Sequence, residues 1–403
     1  MTAALSSFDD LRASLGASLN VASMVERDGK IVVSPQSTEE VAAITSYANE
    51  RELAIEIVGA GTKRGWGNPV QANILLETAR LTGMRGHSWQ DLTATVAVGT
   101  PWAAMQRTLA AHGQWVALDP LWPETATVGG IIATNDSGAL RLRYGSLRDL
   151  IIGMTLVLAD GTVAKSGGKV VKNVAGYDLH KLMTGAFGTL GVITEVTFRL
   201  HPIPAQTRSW SLSSEAAEPL GELMLKVLDS QLSIQAIQLR ASSAGYALDV
   251  ELATLPEVLT LQVAALDRLA ESVVATSLVS QDQPFGAREE LFAPAGGLIV
   301  KATMLPSAVA SVSSEVVRLG GSAVTQATGI MYARFPDGVA AKALVALRAS
   351  VTAAGDGSVT VLRGLDASAS PWSAEGVSAL SREIKRRFDP NGILNPGRFV
   401  GGI

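Results

Sequence analysis

Four glycines fall within ten residues, Val58-Gly59-Ala60-Gly61-Thr62-Lys63-Arg64-Gly65-Trp66-Gly67, directly after a strand-like run from Ala54 to Val58. This run limits the fold more than any other part of the chain. Glycine permits positive φ and lets a ligand approach the main chain closely. Successive amides in such a turn form a nest able to hold an anion. Upstream, Ser37-Thr38-Glu39-Glu40 reads as a capping box, and Val41, Ile44 and Ala48 recur at helical spacing. A helix is therefore predicted over 38–51, between strands at Ile31–Val33 and Ala54–Val58, with a third strand at Asn73–Glu77. That βαβ unit predicts a small parallel sheet. The glycines do not follow the dinucleotide fingerprint, because Arg64 stands where the third glycine belongs. Gly67-Asn68-Pro69 cannot open a helix either, and no Gly-Lys-Ser/Thr is present. A lone glycine cluster reads equally well as a flexible hairpin. Phosphate binding needs support from elsewhere in the chain.

Composition narrows the classes. Apolar residues make up 47% and charged residues 17% of the 403, which excludes intrinsic disorder and suits two or three domains. Lys+Arg 33 against Asp+Glu 37 leaves a formal charge of −4, so a general nucleic-acid binder is not expected. There is no cysteine, which removes disulfides, thiolate nucleophiles, Cys-ligated zinc and iron–sulfur clusters together. The four histidines are His87, His112, His180 and His201, so nothing beyond 201 offers an imidazole. Met1 to Leu15 carries Asp9, Asp10 and Arg12, so no signal peptide is expected, and no stretch has the ~20 apolar residues that span a bilayer. A cytoplasmic protein is expected, with any attachment to the inner membrane made through partners.

Further along, Thr93–Val98, Ile151–Leu158, Thr162–Ser166 and Val192–Leu200 are strand-like, with a hairpin turn at Asp160-Gly161. A helix opens at Thr100-Pro101 and stops at Gly113. These predict a mostly antiparallel second piece. His201-Pro202-Ile203-Pro204 reads as a link. From 206 to 365, strand and helix signals alternate in two similar series, as split βαβ sheets do. A helix from Ala374 to Phe388, with Val377, Leu380, Ile384 and Phe388 on one face, precedes the turns Asp389-Pro390-Asn391-Gly392 and Asn395-Pro396-Gly397.

Support for the glycine loop comes from Pro120-Leu121-Trp122-Pro123-Glu124-Thr125-Ala126-Thr127-Val128-Gly129-Gly130, Asn135-Asp136-Ser137-Gly138 and Tyr144-Gly145. Then follow Lys172-Asn173-Val174-Ala175-Gly176-Tyr177-Asp178 and Gly188-Thr189-Leu190-Gly191-Val192-Ile193-Thr194. In this order the chain resembles the flavoproteins with a vanillyl-alcohol-oxidase or p-cresol-methylhydroxylase (PCMH) type of FAD domain. The resemblance covers residues 25–204 and the tail 382–399. Within that family it resembles the FAD-binding subunits of bacterial glycolate oxidases, on 168–178 and Ala186-Phe187-Gly188-Thr189-Leu190-Gly191. Larger paralogues usually carry Ser-Glu where Ala186-Phe187 stand.

The resemblance implies an α+β fold. A two-part PCMH-type FAD-binding domain (20–204) combines a small parallel βαβ piece with an antiparallel sheet and helices. A split-βαβ, ferredoxin-like cap follows (205–372), and a C-terminal helix and turn (373–403) return to the FAD domain. It implies that Gly59, Ala60, Gly61, Thr62, Lys63, Arg64, Gly65 and Trp66 cradle the FAD diphosphate. Pro120, Thr125, Ala126, Thr127, Gly129 and Gly130 would line the ribityl and isoalloxazine end, continued by Ser137, Gly138 and Tyr144. Gly191 and Val192 would meet the adenosine side, and Asn395 the pyrimidine edge. Some relatives attach FAD covalently through a histidine in the first loop. None stands there here, so FAD is expected to be held non-covalently. The implied activity is oxidation of glycolate or a related small 2-hydroxy acid within a glycolate oxidase complex, beside a paralogous flavin subunit and an iron–sulfur subunit. A stand-alone D-2-hydroxy-acid (D-lactate-type) dehydrogenase and a non-catalytic flavin-containing scaffold remain alternatives.

The chain departs from the family in its second half. Related D-2-hydroxy-acid dehydrogenases use histidines and a carboxylate-bound metal there, whereas this chain has no histidine past 201. Catalytic residues are therefore left unassigned and no metal is expected. Arg240, Lys301, Tyr332 and Arg334 could offer cationic or phenolic groups, but read as strand residues with solvated tips. Arg141, Arg143 and Arg148 read as a small basic cluster, His180 as a packing or capping residue, and Lys385-Arg386-Arg387 as the wet face of the last helix.

Overall fold

The computed structural model describes residues 24–27, 29–168, 177–273, 278–281, 284–364, 370–373 and 377–403. The chain divides into two compact units. The first takes the chain up to Asp136, Ser146–Pro202 and everything from Ala374 on; the second takes Ser137–Gly145 and Ile203–Ser373.

The first unit holds two main sheets. Strands β1 (Met24–Arg27), β2 (Lys30–Val33), β3 (Ile55–Val58) and β4 (Ile74–Glu77) lie in the order β1-β2-β4-β3. β2, β4 and β3 run parallel, while β1 adds an antiparallel hairpin strand. The crossover between β2 and β3 is the Thr38–Glu50 helix, which buries Val41, Ile44 and Ala48, the residues at helical spacing. Ser37 Oγ accepts from the Glu40 amide at 3.2 Å, but the Glu40 carboxylate accepts from the Gln36 amide (2.7 Å). The reciprocal bond of the box thus shifts back by one residue.

The second sheet orders β5 (Met84–Ser88), β6 (Thr93–Ala97), β8 (Ile151–Val157), β9 (Val163–Gly167) and β10 (Val192–Arg199) as β5-β6-β10-β8-β9, antiparallel throughout. Two short strands, β7 (Gln114–Trp115) and β11 (His201–Pro202), pair separately. One apolar core joins both sheets, with Trp102, Met105, Leu109, Phe198 and the tail residues Ile393 and Leu394 all buried.

The tail is built in by backbone pairing. Leu394 bridges Ile55 in parallel, Ile55 donates to Ile393 O (2.7 Å), and Asn395 donates back to Ile55 O (2.9 Å). The last helix spans Ala379–Phe388, shorter at its start than its apolar spacing predicts. Ile384 and Phe388 pack on the core, but Leu380 is 68% exposed, which corrects its placement on the buried face. Lys385 is a second correction. Its ammonium reaches Asp389 (2.6 Å), Thr189 O (2.8 Å) and Leu394 O (3.1 Å), because the chain folds back over it; only Arg386 and Arg387 lie wet, both paired with Glu383.

The second unit is one eight-stranded antiparallel sheet made of β12 (Gln206–Ser214), β13 (Ile234–Ser242), β14 (Gly245–Thr254), β15 (Val279–Gln281), β16 (Leu298–Thr303), β17 (Ser322–Gln326), β18 (Ile330–Phe335) and β19 (Ser358–Arg363). The order β15-β12-β14-β13-β17-β18-β16-β19 is two split-βαβ halves set edge to edge through β13 and β17. Helices Ala217–Leu228, Val309–Arg318 and Ala340–Ala353 pack on its apolar side. Alternation along β12 shows the period: Trp210 and Leu212 join that core, while Ser211 bonds Asp249 and Ser209 bonds Glu251 on the other face.

On that polar face Arg240 forks onto Asp249 (2.7 and 2.8 Å) with its side chain still 36% exposed, whereas Tyr332 is wholly buried, which corrects the solvated tip read from sequence. The two-sided burial of the sheet is the reason.

Candidate functional site

The glycine loop leaves β3 at Val58 and tightens at Gly61, whose φ is +77°. Arg64 N donates to Gly61 O (3.1 Å) and Trp66 N to Lys63 O (3.1 Å), which closes two consecutive turns. The amides of Gly59, Ala60, Gly61 and Thr62 donate to no acceptor among the described residues. A β-carbon on Gly61 would meet nothing closer than 4.0 Å, whereas one on Gly59 would collide with the Thr127 hydroxyl. So Gly59 lets the loop lie against the second loop, and Gly61 turns bare backbone toward open space.

The second loop is brought there by main-chain bonds. Val128 N donates to Thr100 O (3.0 Å) and Gly129 N to Val98 O (2.8 Å). Gly129 has no side chain to hold it off Val98, where a β-carbon would stand 3.0 Å from Val98 Cβ. Thr127 caps the short Val128–Thr134 helix by accepting from Gly130 N at 3.4 Å. Between the two loops opens a cleft. It is lined by residues 57–64, Thr78, Val98, Thr127, Gly129, Gly130, Ala133, Thr134, Phe187, Gly188, Gly191, Ile193, Asn395 and Arg398.

Of the residues expected at a cofactor, Gly59, Ala60, Gly61, Thr62, Lys63, Arg64, Thr127, Gly129, Gly130, Gly191 and Asn395 line this cleft together. Others stand away from its lining. Gly65 is exposed and Trp66 is buried against Trp122, their rings 6.3 Å apart. Pro120, Ala126 and Val192 are buried in the first unit, and Thr125 turns back onto Trp122 O. Ser137, Gly138 and Tyr144 belong to the second unit. There Ser137 O accepts from Arg288 (2.6 Å) and Gln326 (3.1 Å), Gly138 O from Arg141 N (3.4 Å), and the Tyr144 hydroxyl bonds Gln235 (3.1 Å). Residues 169–176, which carry much of the Lys172 to Asp178 motif, lie outside the described residues.

Asn395 ties three segments together. Its φ of +40° suits the tight Asn-Pro-Gly turn; its Oδ1 accepts from Ile57 N (2.8 Å) and its Nδ2 donates to Phe187 O (2.6 Å). Gly188, at φ +71°, makes room for this amide, which a β-carbon would approach to 2.7 Å.

The charges at the cleft are arranged in pairs, with one exception. Lys63 is buried with Asp136 (3.3 Å), bonds Leu121 O (3.3 Å), and stands over the rings of Trp66 and Trp122. Arg64 forks onto Glu56 at 2.6 and 2.7 Å, with Lys30 a further 3.7 Å from that carboxylate. Burial pushes Glu56 up, but the Arg64 bonds and the charges of Arg64, Lys30 and Arg398 outweigh it and hold the carboxyl below its usual range. Arg398 is the exception. It is only 6% exposed and reaches Arg64 O (3.0 Å), Lys63 O (3.3 Å) and Trp66 O (3.4 Å). Burial lowers its pKa, against the pull of Glu56 and with the push of Arg64. Sequence reasoning missed Arg398, although a basic residue directly after the Asn395-Pro396-Gly397 turn was the available signal.

Bare amides, glycine-made space and a buried guanidinium with no carboxylate partner among the described residues fit a diphosphate-bearing cofactor. The FAD binding domain family matches residues 29–167. The chain is 38% identical over 173 residues to a D-lactate dehydrogenase of Archaeoglobus fulgidus, which spans 43% of this chain and 39% of that protein. It is 35% identical over 177 residues to glycolate oxidase subunit GlcE of Escherichia coli, 44% of this chain and 49% of that one. The chain thus spans about half or less of the length of these relatives. Among solved structures, p-cresol methylhydroxylase with substrate bound superposes with a TM-score of 0.72 over 97% of this chain and 95% of that one. At 16% identity that likeness concerns the fold alone, and the fold of this chain is α+β. Residues 29–167 thus match an FAD binding domain, with FAD as the cofactor of that domain.

Proposed function

We propose that this chain is the FAD-binding subunit of a dehydrogenase complex that oxidises glycolate or a related small 2-hydroxy acid and passes the electrons to a partner subunit. The observation that carries the reading is the run of unspent amides at Gly59–Thr62 in a glycine-lined cleft, in a chain whose relatives bear the names of glycolate oxidase subunits and D-lactate dehydrogenases. Bound there, FAD supplies two-electron acceptance from a CH–OH group and one-electron release to an acceptor.

The chain's own residues bind and orient. The Gly59–Thr62 amides point a positive main-chain edge at a diphosphate. Thr127 and Asn395 fix the positions of the two loops and the tail around it. Among the described residues none that lines the cleft is a histidine, tyrosine or cysteine, which favours FAD held non-covalently. With no cysteine in the sequence, an iron–sulfur relay would have to come from another chain, and a paralogous flavin subunit completes the proposed complex. Among the described residues no helix is long and apolar enough to cross a membrane, so attachment to one is proposed to run through partners, with the chain itself on the cytoplasmic side.

Reconstitution tests the proposal. The purified chain should be yellow and should release its flavin on acid precipitation. Glycolate and D-lactate turnover with an artificial acceptor should appear only when the paralogous flavin subunit and the iron–sulfur subunit are added. Turnover by the isolated chain would overturn the subunit reading in favour of a stand-alone dehydrogenase.

A further inference from the structure

Three cationic side chains line the cleft, Lys63, Arg64 and Arg398. Two have carboxylate partners within it or beside it: Lys63 with Asp136 and Arg64 with Glu56. Arg398 has no such partner among the described residues. Its Nη2 and Nε donate only to the carbonyls of Lys63, Arg64 and Trp66. Its Nη1 donates to no acceptor among the described residues, though Arg398 is only 6% exposed.

A guanidinium presents five N–H donors in a rigid fork, and one taken out of water without a counter-ion is costly. Here the three carbonyls clamp one side of the fork to the glycine loop itself. Arg398 lines the same cleft as Gly59 to Thr62, and the other side of its fork has no acceptor among the described residues. That is the donor set of a doubly negative, oxygen-rich group: main-chain N–H groups on one side and a planar charged fork on the other.

We propose that Arg398, carried in by the C-terminal turn, is a direct ligand of the cofactor's diphosphate as well as the strut of the glycine loop. This rests on the reading that the loop holds that diphosphate. The tail then supplies a charge to a binding loop more than three hundred residues earlier in the chain, and cofactor binding and tail docking are one event.

The test uses the full chain stripped of flavin and titrated with FAD and with riboflavin, which has the same ring and no diphosphate. Arg398→Met should weaken FAD about 10- to 100-fold, leave riboflavin unchanged, and flatten the dependence of FAD affinity on salt. Arg398→Lys keeps the charge without the fork and should lose less FAD affinity while keeping the salt dependence. Should the Met variant not fold, the FAD-to-riboflavin affinity ratio of the Lys variant decides: a fall supports the contact, and an unchanged ratio overturns it. Equal losses of FAD and riboflavin would make Arg398 a strut alone and also overturn it. A wild-type chain that takes up riboflavin but gains nothing from the diphosphate of FAD would sink the reading of the loop rather than the assignment of Arg398 within it.

Discussion

Asn395 shows how much a single side chain holds at this site. It spends its carbonyl on Ile57 N and its amide on Phe187 O, and it is 1% exposed. Asn395→Ala strands two buried backbone groups, each worth ~1–3 kcal/mol, so a loss on the order of 2–5 kcal/mol is expected in urea unfolding. FAD affinity should fall with it, because Ile57 and Phe187 both line the cleft. Asn395→Asp keeps the bond to Ile57 but sets a carboxylate oxygen against Phe187 O, and should be destabilised at neutral pH with partial recovery in acid as the carboxyl protonates. An Asp variant as stable as wild type at neutral pH would show that the Phe187 contact contributes little. Asparagine in an Asn-Pro-Gly turn was visible in the sequence as a turn signal. That it bridges two distant strands and loops was not, since Ile57 and Phe187 lie 338 and 208 residues away.

Elements were legible where local pattern decides and illegible where a distant partner does. The Thr38–Glu50 helix and strands β2 to β4 follow from apolar spacing and a capping serine, and the two split-βαβ series follow from alternation. The last helix differs. Its polar run Lys385-Arg386-Arg387 has the composition of a solvated face, yet Lys385 is drawn in by Thr189 O, Leu394 O and the buried Asp389. Asp389 in turn accepts from the amides of Ile393 (2.9 Å) and Leu394 (2.8 Å), shaping the turn that lays Leu394 beside Ile55. The pair therefore positions the strand-like end of the tail. Burial lowers the Lys385 pKa against the pull of Asp389, which marks an ammonium held by its bonds at a desolvation cost. Lys385→Met should cost about 3 kcal/mol by leaving Asp389 without its cation. Asp389→Asn should also destabilise, and the double variant should be less damaging than the sum of the two by ~1 kcal/mol or more. Strict additivity in denaturant titrations would mean the two residues act separately.

At the scale of the whole molecule, the chain crosses between its two units after Asp136, Gly145, Pro202 and Ser373, so each unit is assembled from separated stretches of sequence. Segment 137–145 shows why this could not be read in advance. It follows the second loop without a break in composition, yet Tyr144 and Arg143 bond Gln235 and Ala253 O within the second unit's sheet. The cleft, by contrast, draws on both larger segments of the first unit and on the tail, and every lining residue belongs to that unit. A ligand that binds only the folded form stabilises what it touches by RT ln(1 + [L]/Kd), about 2.7 kcal/mol at a hundredfold excess over Kd. FAD should therefore slow amide exchange in three sets of peptides together: those around Gly59–Arg64, those around Thr127–Thr134, and those around Ile384–Arg398. The tail peptides are decisive because they lie more than three hundred residues after the glycine loop in the chain. Their protection depends on the Leu394–Ile55 bridge, the Asn395 clamp and the Arg398 fork all being loaded by the same binding event. Exchange that slows in the glycine loop while the tail exchanges as before would show that the tail is a passive cover and that the binding site ends with the two loops.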